Sequence, residues 1–187
     1  AVEFGRFSSG LTVINTRSGG DQWRLALSTP ELSFRMSRTQ QWKPIGLESF
    51  GPRVGVSGPL LKDRLFIAQS AQMRYDAAEV YSRPPDQLRT TKWISAFTRL
   101  DARLAPKHSL IGSFNYFPSR ATNLNLNTFN GPDVAVDQSD HLLTGGLAGH
   151  SILTENTVLD STVQFGHFRV DVAGHDTAPM LLVPSQN

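Results

Sequence analysis

Apolar and polar side chains alternate along most of this chain, the pattern of a β-strand whose two faces meet different surroundings. The segment 93–104 is a clear case, because every second position is apolar or small while the positions between them become charged. The apolar set is Ile94, Ala96, Thr98, Leu100, Ala102 and Leu104. The pattern predicts a strand with one apolar face and one charged face.

The same alternation recurs in further segments that follow one another along the chain. No long window places apolar residues at helical spacing, and the chain holds fifteen glycines and eleven prolines. About seven strands in a row, with no helix between them, predict an all-β fold built as an antiparallel meander. The further segments are 22–37 (a broken strand), 53–60, 64–75, 109–117, 140–150 and 158–166.

The predicted connections alternate strictly between short and long, so the tight turns gather at one end of the sheet. Transmembrane β-barrels are sorted in this way, with short periplasmic turns and long extracellular loops. Most segments also reach the roughly 9–11 residues that a tilted spanning strand needs. The fold class expected is therefore a partial transmembrane β-barrel, about seven strands of a larger one. The short connections are 60–64, 105–108 and 151–156, and the long polar ones are near 38–50, 76–90 and 120–139.

Aromatic residues lie near the predicted strand ends, where an interfacial girdle of a barrel would place them. An antiparallel β-sandwich, with the same aromatics in its core, is the alternative reading of the pattern. The residues concerned are Trp23, Tyr75, Trp93, Tyr116 and Phe117.

Composition narrows the range of functions. The 187-residue chain has no cysteine, which excludes disulfides and thiolate chemistry, and no apolar run approaches the length of a transmembrane helix. Its net charge of +2 is spread along the chain, unlike the basic stripe of a nucleic-acid binder. No signal peptide is visible, and a start at Ala1 fits a processed chain or a piece of a longer one.

Three stretches resemble TonB-dependent outer-membrane receptors, particularly the Oar-like group. Residues 3–20 (EFGRFSSGLTVINTRSGG) are similar to the end of that family's plug domain. Residues 50–66, with the motif Gly-Pro-Leu-Leu-Lys-Asp-Arg-Leu-Phe, resemble its second and third barrel strands, and 99–110 resembles the next periplasmic turn. The resemblance covers roughly residues 3–170.

The resemblance implies a piece of a barrel of about twenty-two strands that is filled by an N-terminal plug. On this basis residues 1–20 are the end of the plug, 21–175 the first part of the barrel, and 176–187 a loop or a truncated end. The partners implied are outer-membrane lipid, the protein's own plug domain, an extracellular solute of unknown identity, and the TonB complex through the missing N-terminal part. No cofactor is implied, and the expected location is the bacterial outer membrane.

Charged side chains on the polar face are the first candidate functional residues. An arginine facing lipid near the membrane midplane would cost about 2–4 kcal/mol, so these side chains are expected to face the lumen and to pair with the plug. Solvation by lumen water is the alternative role. The residues are Arg74, Arg99, Asp101, Arg103 and Asp160.

The asparagine-rich connection at 120–139 supplies the second set. Asn125, Asn127 and Phe129 are candidates for contact with an extracellular solute, and an uncommitted surface loop is the alternative.

No catalytic constellation is visible, so the chain is not expected to be an enzyme. The five histidines lack metal-ligand spacing, and the glycine-rich stretch 145–149 lacks the helix of a phosphate-binding loop. A passive porin or adhesion barrel and a soluble β-sandwich binding module remain as alternatives to the receptor. Residues 3–20 distinguish the receptor from the passive porin or adhesion barrel, because a porin has no reason to carry a plug-like strand.

Overall fold

The structure, a computed structural model, describes residues 18–175, which form one antiparallel sheet of nine strands. A single 3₁₀ turn at Pro132–Val134 accompanies them, and no helix in this part of the chain is long and apolar enough to cross a bilayer. The all-β antiparallel fold predicted from the alternation is therefore confirmed. The strands are β1 (Arg24–Ser28), β2 (Ser33–Met36), β3 (Pro44–Phe50), β4 (Arg53–Leu61), β5 (Leu65–Glu79), β6 (Leu88–Ala105), β7 (His108–Thr122), β8 (Val136–Thr154) and β9 (Thr157–Gly174).

The topology is a meander in which consecutive strands from β4 to β9 pair with one another. At the start, β1 pairs with β4 while β2 pairs with β3, and β3 also touches the far end of β5. The pairs β1–β2 and β3–β4 thus behave as two long strands, interrupted at 29–32 and at 51–52. The broken strand expected at 22–37 is confirmed, and its break contains Pro30, which cannot donate to a ladder.

Short and long connections alternate along these strands, as expected. The short turns cover 62–64, 106–107 and 155–156, so all three lie at one end of the sheet, which we call the turn end. The connections at the opposite end, the loop end, cover 37–43, 80–87 and 123–135.

The predicted long loops were wrong in extent, because strands occupy much of them. Residues 44–50 form β3 rather than a loop, β5 runs on to Glu79, and β8 begins at Val136. The single apolar stripe ends there although the backbone ladder continues. Both faces turn mainly polar at the start of β8, and on β9 the apolar residues change to the opposite face at Phe168, Val170 and Val172. A stripe that stops or changes sides does not mark the full length of the strand.

The hairpin β4–β5 explains the Gly-Pro motif locally. Pro59 lies next to a register shift between β4 and β5, where the missing N–H is tolerated. The turn closes with a hydrogen bond from the Arg64 N–H to the Leu61 carbonyl at 3.1 Å, and Asp63 takes a positive φ of 60°. Aspartate occupies this left-handed region at some cost, which glycine would not have.

The edge strands leave the sheet open within the described residues. The strand β9 pairs with β8 along nearly its whole length and with no other described strand, and every residue of β9 is exposed. A long edge of unpaired backbone groups is a template for a further strand.

Replacing Asp63 with glycine tests the turn. We expect Asp63→Gly to raise the free energy of unfolding by about 0.5–1 kcal/mol, because the positive φ no longer strains a side chain. The matched control is Lys62→Gly in the same turn, which should lower it by a similar amount through added chain entropy. Denaturant midpoints measure both, and a destabilised Asp63→Gly variant would contradict the turn geometry.

Candidate functional site: a two-faced sheet and its loop end

The two faces of the sheet differ sharply in chemistry. Residues paired across strands point to the same side, so the register assigns each position to a face. One row reads Ile67, Leu100, Gly112, Leu147 and Val163 from β5 to β9. We call this side the apolar face. Its neighbouring row on the opposite side, the polar face, reads Ala68, Arg99, Ser113, Gly146 and Gln164.

The apolar face carries large side chains that nothing in the described part of the chain covers. All described strands belong to one sheet, so no second sheet packs on this face. The large apolar residues exposed on it include Trp23, Leu25, Leu27, Val54, Met73, Ile94, Leu100, Leu104, Phe114, Tyr116, Leu147, Val163 and Phe165.

This apolar surface forms a belt with a charged border on the loop side. On β6 the belt runs from Leu104 to Ile94, and the next residue on the same face is Lys92. On β7 the belt gives way to Arg120, and on β9 to Arg169 and Asp171, which form an ion pair at 2.7 Å.

The border of the belt slants across the hydrogen-bonded rows. On β9 the last apolar residue is Phe165, whose row passes through Gly145 and Phe114 to reach Gln69 on β5. On β5 itself the belt continues past Gln69 to Tyr75. The border therefore shifts by about one or two residues from each strand to the next.

All five charged candidates lie on the polar face, since each belongs to a row of that side. The Arg99 and Asp101 side chains form an ion pair at 2.8 Å within β6. The Asp160 carboxylate lies 2.6 Å from the His150 ring on β8.

The other two arginines are held in place by different contacts. Arg74 pairs with Asp76 at 2.9 Å and also with Glu31 from the break between β1 and β2. The Arg103 guanidinium lies 5.1 Å from the ring centroid of Phe66, a side chain only 3% exposed. Phe66 belongs to the hairpin motif, so the motif supplies a platform that orients an arginine.

The chain reaches the sheet along its polar face. An added Cβ on Gly19 would lie 2.8 Å from the Cβ of Phe66 and 2.6 Å from the Ile67 carbonyl oxygen. Only glycine permits this approach of one backbone to another. The plug end predicted at 1–20 otherwise lies outside the described residues, which begin at residue 18.

At the loop end, two arginines tie the three long connections together. Arg38 lies over the Tyr81 ring at 5.5 Å and donates hydrogen bonds to the carbonyls of Val80, Tyr81 and Arg83 at 2.6–3.2 Å. It also pairs with Glu79 at 3.1 Å. The loop 37–43 is thereby attached to the loop 80–87.

A second arginine, Arg83, joins the loop 80–87 to the loop 123–135 in a similar way. Arg83 donates hydrogen bonds to the carbonyls of Asn127 and Thr128 at 2.7 and 3.3 Å. The Ser82 hydroxyl donates to the Thr128 hydroxyl at 3.0 Å. Each arginine offers several donors in a fixed plane, which suits clustered carbonyls.

The two asparagine candidates hold the loop 123–135 in shape. Asn125 donates to the Val134 carbonyl and accepts from the Val136 N–H, both at 3.0 Å. Asn127 accepts from the N–H groups of Phe129 and Asn130 at 2.8 and 2.9 Å. Their amides are therefore engaged with backbone, as asparagine in turns commonly is.

Phe129, the third candidate, points into solvent instead. Its side chain is 94% exposed, although Leu126 in the same loop is fully buried. Trp42 in the loop 37–43 and Tyr81 in the loop 80–87 are 95% and 84% exposed. Each long connection thus presents one aromatic side chain. Neither Trp42 nor Tyr81 was among the residues predicted from the sequence to contact a solute, although an aromatic within a polar connection was a visible signal.

Asp137, beyond the belt on β8, anchors the base of the loop 123–135. Its carboxylate accepts a hydrogen bond from the Asn123 N–H at 3.1 Å and lies 2.9 Å from the His175 ring and 3.5 Å from Arg120. The contact with His175 is the main cause that lowers the pKa of Asp137 below its ordinary value, and Asn123 and Arg120 act in the same direction.

Within residues 18–175 no group of three or more metal-ligating side chains converges. Comparison of the chain with protein-family models, curated protein sequences and solved structures found no match.

The Asp137 contacts predict how the loop base responds to pH. Because the pKa of Asp137 is lowered in the folded state, its stabilisation is present above the ordinary value of about 3.9 and is lost as the pH falls through the folded value. Hydrogen exchange at the Asn123 amide, corrected for intrinsic rates, should therefore lose protection over that acidic window.

Two variants separate this effect from general acid unfolding. Asp137→Asn should weaken the protection of Asn123 already at pH 7, whereas Asp133→Asn in the same loop should leave it unchanged. Equal protection in Asp137→Asn and the unmodified chain at pH 7 would refute the anchoring role.

Proposed function

We propose that this chain forms part of the β-barrel of a TonB-dependent outer-membrane receptor that takes up a large or scarce solute by energy-coupled transport. The observation that carries the proposal is the apolar belt, a broad exposed surface on one face of a single sheet whose other face holds the charged side chains of the middle of the strands. The resemblance of residues 3–20 and 50–66 to TonB-dependent receptors is the reason for proposing this class of barrel.

A lipid environment accounts for the belt better than water does. Soluble monomers rarely expose contiguous apolar surface beyond a few hundred Å², because its hydration is unfavourable. The belt on β6, residues 94–104, matches the roughly 9–11 residues that a tilted strand needs to cross the hydrocarbon. The charged border beyond it would then lie at the outer membrane surface.

The open edges support a larger barrel. Within a bilayer an unpaired strand edge leaves backbone groups without hydrogen-bond partners, which costs several kcal/mol per group. The strand β9 presents such an edge over its whole length, Thr157–Gly174. We infer that a further strand pairs with it, as in a barrel of about twenty-two strands.

The polar face would line the lumen and receive the plug. Gly19 brings the incoming chain against this face, and the Arg99–Asp101 pair beside Phe66 offers both donors and acceptors to it. Lumen water would solvate the remaining charge at little cost, whereas lipid would not.

The loop end is the proposed capture surface for the solute. Its three connections are tied by Arg38 and Arg83, so their exposed aromatics are held on one preorganised surface. Of the three loop residues predicted to contact a solute, Phe129 is the one that we expect to touch it, while Asn125 and Asn127 shape the loop. Preorganisation lowers the entropic cost of binding.

The two alternatives fit the observations less well. A soluble β-sandwich needs a second sheet over the apolar face, and the strands within residues 18–175 form one sheet. A passive porin or adhesion barrel shares the belt but gives no reason for the plug-like residues 3–20.

An arginine on the apolar face tests the membrane assignment. In the full-length receptor, Phe114→Arg at the middle of the belt should cost about 2–4 kcal/mol and sharply reduce the amount assembled in the outer membrane. The matched control is Asn115→Arg, the next residue, which points to the polar face and should assemble normally. Equal assembly of the two variants, or detergent-free solubility of both, would refute the proposal.

A single aromatic tests solute capture. Phe129→Ala in the full-length receptor should lower the uptake rate severalfold at limiting solute, because it removes contact area without altering the amides that shape the loop. Glu155→Ala, at the turn end, serves as the control. Unchanged uptake after both Phe129→Ala and deletion of residues 122–131 would show that this loop does not contact the solute.

A further inference from the structure

The turn end carries a basic concavity, and we propose that it binds an acidic segment of another polypeptide. The proposal concerns the opposite end of the sheet from the solute surface, and it holds whether or not the apolar face lies in lipid. Nothing in the capture of a solute at the loop end uses these residues.

The concavity has a volume of about 610 Å³ and lies between the turns 62–64 and 106–107 and the adjoining end of β8. This size falls within the range of ligand-binding clefts. Its ionisable lining is almost entirely basic, with Asp63 as the one carboxylate among the lining residues. The basic members of the lining are Arg64, Arg103, Lys107, His108 and His150.

The two arginines and the lysine that line this concavity lack acidic partners among the described residues. Among the described residues, Arg64, Arg103 and Lys107 form no ion pair, unlike Arg35, Arg38 and Arg74 near the loop end. Like charges that share a concavity repel one another, so an incoming anion would relieve the repulsion as well as gain direct attraction.

Two contacts hold the arginines in position before any ligand arrives. The Arg103 guanidinium lies over the buried Phe66 ring, and the Arg103 N–H donates to the Arg64 carbonyl at 2.7 Å. These contacts fix the Arg103 side chain and the two backbones, and they leave the outer donors of both guanidinium groups open. A preset donor arrangement gives up less entropy on binding.

The spread of the cations favours an acidic peptide over a single small anion. Arg103 and His150 both pair with Ser109, from opposite sides, so their backbones lie two strand spacings apart, about 9–10 Å. One phosphate or carboxylate cannot contact both ends of such a row. An extended peptide places alternate side chains about 6.5–7 Å apart on one side, so two or three carboxylates can follow the row.

His150 already has one acidic neighbour, since Asp160 lies 2.6 Å from its ring. An acidic peptide would have to compete with Asp160 for the imidazole of His150. Because this imidazole is also exposed, we expect His150 to contribute little to the binding of the peptide. The core of the proposed site is therefore Arg64, Arg103 and Lys107.

The test uses fluorescein-labelled hexaglutamate as the probe and the full-length protein in a neutral detergent. We expect saturable binding by fluorescence anisotropy at about 20 mM salt that weakens by about tenfold or more at about 200 mM, because exposed charges are screened. Labelled hexaglutamine, which keeps the length and removes the charge, should not bind.

Variants locate the binding. Arg64→Gln with Lys107→Gln should weaken hexaglutamate binding by about tenfold, since each close charge pair contributes to affinity. Both residues use only their backbone groups in the fold, so the double variant should keep its unfolding midpoint. Lys62→Gln, in the same turn but outside the lining, is the matched control and should change binding less than about twofold.

Three outcomes would overturn the proposal. The first is absence of hexaglutamate binding at low salt, and the second is equal weakening by Lys62→Gln and by the double variant. The third is displacement of the peptide by inorganic phosphate at equal concentration, which would identify a small-anion site instead. None of these outcomes depends on whether the chain enters a membrane, so the receptor proposal is tested separately.

Discussion

The pleat of the β-strand is the constraint on which the rest of this structure depends. Successive side chains must point to opposite sides, so a strand whose positions alternate in polarity commits each face to one environment. The ladder between β5 and β6 carries this commitment without a break from Leu65 to Glu79. A slip of one residue would move Arg99 into the apolar belt and Leu100 onto the polar face, so the belt itself specifies the register.

Basic side chains find different partners at the two ends of the sheet because the connections differ in length. The short turns have few residues with which to satisfy charge, so Arg64 and Lys107 project without acidic partners among the described residues. The long connections contain enough backbone to accept hydrogen bonds from arginine, and Arg38 and Arg83 use it to join one loop to the next. The same residue type is therefore open at one end and engaged at the other.

Glycine and aromatic residues adjust the belt where strands approach closely. The Phe165 ring on β9 covers Gly145 on β8, and the Trp23 ring, just before β1, covers Gly58 on β4. An aromatic ring over a glycine restores the packing that the missing side chain would have supplied. The belt therefore stays continuous in spite of its glycines.

Alternation of period two is a local property of the pleat, so the broken first strand, the strands β4 to β9, their antiparallel order and the short turns could all be predicted from the sequence. The strand β3 could not, and its residues were predicted as a loop. The placement of Arg74, Arg99, Asp101, Arg103 and Asp160 on one side followed from parity alone. The ends of the strands depended on the tertiary structure, since the apolar stripe stops on β8 and changes sides on β9 while the backbone ladder continues. The tertiary structure also decided that Asn125 and Asn127 hold a loop while Phe129 is presented, and that Arg103 rests on Phe66. Those contacts join residues far apart in the chain, and no local pattern encodes them.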